Sequence, residues 1–172
     1  GPPMFASLTL IALAVEAAVG YPKRLYEAIG HPVGWIGRLL AWCDERWNRP
    51  ERTFAQRRRA GIGTIALAVL LATGASLALV AALAAVLPHA AAFLLAAVAA
   101  STLIAQRSLD EHVRAVATAL ENGTLEDARH AVAQIVGRET STLDSHGVSR
   151  AAIESLSENF SDGVAAPVFW LL

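Results

Sequence analysis

The sequence predicts an all-α, polytopic integral membrane protein with an interfacial amphipathic helix and a cytosolic helical pair. Three observations predict it. No Asp, Glu, Lys or Arg occurs in residues 60–105, a run twice the roughly 20 residues that one membrane-crossing helix needs. The charged residues gather in blocks on either side of that run. Outside it, apolar residues recur at three- and four-residue spacing, and strand-like alternation is absent.

Residues 1–19 comprise Gly1-Pro2-Pro3, which reads as a protease scar, and a first apolar segment. Basic residues follow this segment and none precedes it, so it reads as a retained or re-entrant helix rather than a signal peptide. Glu16, near its end, reads as a boundary residue. Residues 20–59 form a basic loop in which Val33, Ile36, Leu40, Cys43 and Trp47 trace one face of an amphipathic helix. Trp35, Trp42 and Trp47 suit the water–lipid boundary, which places that helix in the interface.

Residues 60–105 hold two passes that turn at Pro88-His89, since proline punctuates helices. Nine of the fourteen Lys and Arg residues lie in residues 23–59 and the other five follow the apolar run. By the positive-inside rule both blocks are cytoplasmic. Residues 106–163 carry Ser108-Leu109-Asp110-Glu111, a capping box expected to start a helix with Val113, Val116, Ala117 and Leu120 as its stripe. Asn122-Gly123 ends it, Thr124 to Asp127 caps the next helix, and Gly137 stops that one. Residues 164–172 open a further membrane helix at half the required length, so the chain reads as one whose C-terminal part is missing.

The composition excludes several classes. Cys43 is the one cysteine, which rules out a disulfide framework and a thiolate metal site. Arg57-Arg58-Arg59 abuts a transmembrane start and reads as a topology determinant and anionic-lipid anchor; no nucleic acid is expected.

Chemistry concentrates near the end. In a helix, Arg150, Glu154 and Glu158 recur every four residues on one face, with Asp162 at or just past its terminus. Such groups are costly beside a membrane-grade segment. Glu154, Glu158, Asn159 and Asp162 are hard oxygen donors suited to Mg²⁺ held jointly with phosphate. Arg138 and Arg150 match phosphate or carboxylate geometry. Together they are what ATP-dependent acyl activation needs. With no P-loop or GxGxxG, the nucleotide site is unconventional. The structural alternative is an Arg150–Glu154 salt bridge along the helix. His146 reads as a solvated loop residue, and His31 as a helix cap or a substrate contact.

The block from Val136 through Arg138, Glu139 and Thr140, then Arg150, Ala151, Ala152, Glu154, Glu158, Asn159, Asp162, Gly163 and Pro167, resembles the signature of the CobD/CbiB membrane proteins of cobalamin biosynthesis. Gly30-His31-Pro32-Val33 and Ile36-Gly37-Arg38 resemble that family's opening motif, with Tyr21 where many members have Asp. The resemblance covers nearly the whole chain. It implies an adenosylcobinamide-phosphate synthase: ATP-dependent amide formation between adenosylcobyric acid and aminopropanol or its O-phosphate. It further implies Mg²⁺ and nucleotide phosphates on Glu154, Glu158, Asn159 and Asp162, and ATP or aminopropanol phosphate on Arg138 and Arg150. Glu139 would polarise the amine beside catalytic Glu154 and Glu158, and His31 and Arg38 would contact substrate. The expected setting is a bacterial inner membrane, with lipid, other membrane enzymes of the pathway and a second copy as partners. The rival classes are an AmpE-type membrane sensor, which needs no intact acidic cluster, and a transporter, whose acids would lie at midplane.

Overall fold

Long apolar runs without internal proline propagate as helices, and every regular element among the described residues is helical. The computed structural model describes residues 2–172; Gly1, the first residue of the expected scar, lies outside the described residues. The elements are α1 (Pro2–Val19), α2 (Lys23–Ile29), α3 (Pro32–Trp47), α4 (Phe54–Val86), α5 (His89–Ser101), α6 (Gln106–Asn122), α7 (Leu125–Ala133), α8 (Ser145–Phe160), a π turn (Ser161–Ala165) and α9 (Ala166–Leu171). Two stretches, Phe54–Val86 and His89–Asn122, are long and apolar enough to cross a membrane, and a third exists if Met4–Val19 and Lys23–Trp47 form one broken span.

The chain divides into two compact units, one Tyr21–Ala96 and the other the segment ending at Gly20 together with Ala97–Leu172. In the first, Thr53 and Gln56 form a capping box that starts α4 at Phe54, so the helix begins before the charge-free run does. Its 33 residues extend about 50 Å at ~1.5 Å per residue. None of them is buried, as expected for a helix whose apolar surface faces lipid or further protein. Pro88 provides the turn and α5 starts at His89, as the sequence predicts. The second span runs past the charge-free run: α5 has only 13 residues and completes a span only with α6, across a short break.

In the second unit α6, α7 and α8 pack around Val116, Ala128, Val132, Val148, Ala151 and Ala152. The Thr124–Asp127 capping box is present and α6 stops at Asn122. Thus the expected pair of helices is a trio, because the Arg150 helix supplies a third apolar face. The second helix of the pair also stops short of Gly137, at Ala133.

The start of α6 departs from the sequence expectation. The Ser108 box does not cap it; the helix begins at Gln106, after Ala105, whose side chain cannot cap. Its orphan donors find partners from afar. The Glu16 carboxylate accepts from the Arg107 N–H with both oxygens at 3.1 Å, and Ala105 N donates to Gly163 O at 2.9 Å. Arg107 returns the favour, its guanidinium donating to Ala18 O at 2.6 Å and closing the C-terminus of α1. Gln106 adds a side-chain bond to Leu13 O at 2.7 Å. Glu16 is therefore buried, 3% exposed, and not a boundary residue. Gly20 is required where α1 ends: its φ is +65° and a Cβ there would lie 2.9 Å from the Arg107 side chain.

Removing the buried Glu16 acceptor orphans the partly buried Arg107 amide, a loss of up to about 1–3 kcal/mol. Glu16→Ala should lower the melting temperature in detergent, with Glu16→Gln, which keeps an acceptor, falling between it and the parent.

The Thr124 hydroxyl and amide hold the Asp127 carboxyl below the ordinary aspartate value. A lowered carboxyl pKa stabilises the fold above the unfolded value, and that contribution is lost as pH falls through the folded one. Acid titration of unfolding should therefore show a component below about pH 3.9 that is absent in Asp127→Asn.

Candidate functional site

The acidic motif sits on α8, and α8 starts because Asp144 caps it: Asp144 Oδ1 accepts from Gly147 N at 2.7 Å. His146 consequently lies in the first helical turn and not on a loop. The inner positions Val148, Ala151, Ala152 and Ser155 are buried, which leaves Arg150, Glu154 and Glu158 on the exposed side.

Glu154 pairs with Arg138 rather than with Arg150. The Arg138 Nη2 to Glu154 Oε2 distance is 2.9 Å, made possible by the segment after α7 crossing α8. Both side chains are more than half exposed, 52% and 64%, so the bond orients the guanidinium more than it stabilises the fold. Arg138, Ala151, Glu154, Ser155 and Glu158 line a groove of about 170 Å³.

Beside this groove runs a partly buried hydrogen-bond chain. Asn159 Nδ2 donates to Ser155 O and Oγ, both at 2.8 Å, and Ser155 Oγ donates onward to Ile135 O. The chain ties the crossing segment to α8 and fixes the Asn159 amide, whose nitrogen must face the Ser155 carbonyl. A second cavity, of about 340 Å³, shares Ile135 and Val136 with the groove and is lined also by Ser108, His112, Gln134 and Asn159.

The structure thus brings Arg138, Glu154 and Glu158 together and puts Asn159 in the adjoining cavity. Arg150 and Asp162 are exposed and line neither. Asp162 lies within the π turn, so the helix runs on past it instead of ending there. The turn has a local cause. Pro167 has no N–H to offer the carbonyl of Gly163 four residues earlier, and that oxygen is satisfied by Ala105 N instead.

Glu139 holds a bend. Its Oε1 accepts from Ser141 N at 3.0 Å and Thr140 N at 3.1 Å. Donation from the Ser141 amide and hydroxyl, then from the Thr140 amide, keeps its carboxyl below the ordinary glutamate value.

His31 and Arg38 belong to the other unit. His31 caps α3, Nδ1 accepting from Val33 N at 3.2 Å, with its ring 4.5 Å from that of Tyr21. Tyr21 Oη and Trp35 Nε1 donate to Gly30 O and Ile29 O, each at 2.7 Å. Gly30, at φ +74°, makes the turn possible. The opening motif is thus a self-bonded turn in which Tyr21 serves as a hydrogen-bond donor.

Among the described residues no cluster of three or more His, Cys, Asp or Glu is assembled as a metal cage.

These residues fall within a segment that known proteins share. The sequence profile of the CobD/Cbib protein family matches residues 9–172. The chain belongs to that family. It is 44% identical over 167 residues to the cobalamin biosynthesis protein CobD of Rhodobacter capsulatus, covering 96% of this chain and 51% of that protein. It is 45% identical over 161 residues to the CobD of a Sinorhizobium species, covering 93% and 49%. Against the CobD of Rhizobium meliloti the identity is 42% over 163 residues, covering 95% and 49%. The chain spans about half the length of the curated relatives it matches. No solved structure matches it.

Within this family member, sequence reasoning missed Ser155, His112 and Gln134. His112 carries a readable signal: it falls between Leu109 and Val116, both buried, at three- and four-residue spacing on the inner stripe of α6. Ser155 shows its role only once Ile135 lies beside it, 20 residues away.

Ser155→Ala should lose up to about 1–3 kcal/mol of stability by orphaning the partly buried Ile135 carbonyl. Arg138→Met, which breaks only an exposed pair, should change it by less than about 1 kcal/mol. Thermal or denaturant unfolding of the two variants compares them directly.

Proposed function

We propose that this chain carries the acyl-activating part of a cobalamin-biosynthesis ligase. The reaction is ATP-dependent amide formation between a propionate of adenosylcobyric acid and aminopropanol or its O-phosphate. The observation that supports it most is the groove in which Arg138, Glu154 and Glu158 meet beside a membrane-length helix, in a family whose relatives are named for cobalamin biosynthesis.

A carboxylate is a poor acyl donor. In the proposed sequence a propionate oxygen attacks the terminal phosphorus of ATP, ADP departs, and the amine then displaces phosphate from the acyl phosphate. Arg138, oriented by Glu154, and Arg150, on the same exposed side of α8, supply cationic donors to the phosphoryl oxygens. Glu158 and Asp162 would hold Mg²⁺, with phosphates and water completing its shell, and the ion would neutralise charge at those oxygens. Glu139 keeps the bend after Arg138 in shape, and its lowered carboxyl suits it to accept hydrogen bonds rather than protons.

The positive-inside rule puts the basic α3–α4 junction and the α6–α8 trio on the cytoplasmic side of the bacterial inner membrane. A site at the membrane surface would keep a large, partly apolar corrin near other membrane enzymes of the pathway.

Alanine at Glu158 or Asp162 should cut product formation by about 10²–10³ without lowering the melting temperature. The assay combines detergent-solubilised full-length protein, MgATP, adenosylcobyric acid and aminopropanol or its phosphate, with product followed by mass spectrometry. A fully active variant removes that residue from the site. No product from the parent with either amine leaves the sensor reading in its place.

A further inference from the structure

The cavity of about 340 Å³ contains a side chain that the ligase reading, on which this inference rests, has not yet used. His112 is partly buried on the inner stripe of α6. Its Nδ1 lies 2.6 Å from the Ser108 carbonyl oxygen. A carbonyl can only accept, so Nδ1 is the donor in that contact, and Nε2 is the nitrogen left to accept a proton. Asn159 is fixed in the same way: its nitrogen is committed to Ser155, which leaves Oδ1 as an acceptor.

The lining of this cavity includes no carboxylate, lysine or arginine. It therefore offers acceptors of fixed orientation without a competing charge. That chemistry suits a donor-rich group that must shed a proton, such as a primary alkylammonium. The Arg138–Glu154–Glu158 groove adjoins it across the shared Ile135 and Val136, so an acyl group in one and an amine in the other would be neighbours.

We propose that His112 is the general base of the amine step and that Asn159 orients the amine. An alkylamine is protonated at neutral pH, as lysine is, and two protons must leave its nitrogen. The first passes to His112 Nε2 and frees the lone pair. That pair forms the bond to the acyl carbon, and the C–O pair leaves with phosphate. The second nitrogen proton goes with the departing phosphate, and the imidazolium returns its proton to solvent. No redox partner is involved.

The test uses hydroxylamine, which is uncharged at neutral pH and traps acyl phosphates without a base. Full-length protein in detergent is given MgATP and adenosylcobyric acid, with either the aminopropanol substrate or hydroxylamine. In His112→Gln and His112→Asn, amide formation should fall by at least about 100-fold, while hydroxamate formation stays near the parent rate. Parental amide formation in both variants overturns the proposal. Equal loss of amide and hydroxamate in both also overturns it, since His112 would then serve activation or folding. A parent that yields neither product overturns the ligase reading itself, and the base role with it.

Discussion

One buried carboxylate organises the second unit. Glu16 is the single charged residue of α1, and it would be costly there without partners. It finds them in the unsatisfied N-terminus of α6, whose Arg107 amide it accepts with both oxygens. The arginine then supplies the carbonyls that α1 leaves open at its own end. Each helix terminus completes the other. The bonds are made where α1, the α5–α6 break and the π turn already share the apolar contacts of Ala12, Ile104 and Val164. Polar and apolar terms therefore select the same arrangement.

From this join the geometry passes to the acidic segment. Ala105, next to the clasped residues, donates to Gly163, and so replaces the bond that Pro167 cannot make. The resulting π turn adds slack in the helix just where Asp162 lies, and π turns of this kind often occur at functional positions. Further along, Ser155 secures the backbone that carries Arg138 toward Glu154. The exposed charges thus rest on a hydrogen-bonded polar layer, and no buried side-chain nitrogen or oxygen among the described residues lacks a partner. Such support is what holds catalytic groups in register.

Legibility in the sequence follows the range of the deciding interaction. The helical class, the Pro88 turn, the Asn122-Gly123 stop, the Thr124 box and the His31 cap are set by residues within a few positions, and the structure shows each of them. The start of α6 was misplaced because its cap comes from Glu16, 91 residues earlier, while Ser108 presented a local signature with nothing to satisfy. The Arg150–Glu154 pair was a sound local expectation, displaced by Arg138 across 16 residues. The π turn was not read from the sequence: Pro167 removes a donor locally, but the Gly163 carbonyl is answered by Ala105, far away along the chain. The membership of Arg138, Glu154 and Glu158 in one groove was partly legible through helix periodicity. The separation of Asn159 into a second cavity was not, because Ser155 and Ile135 decide it.

The distance between Glu16 and Arg107 also sets an order of events during synthesis. At roughly 5–20 residues per second, 91 residues correspond to a delay of about 5–18 s. Throughout that interval α1 exists with its carboxylate and its terminal carbonyls unanswered. It is poorly suited to settle in lipid by itself, and it gains its place only when α6 emerges. The first apolar segment of the chain is in this sense one of the last to be committed.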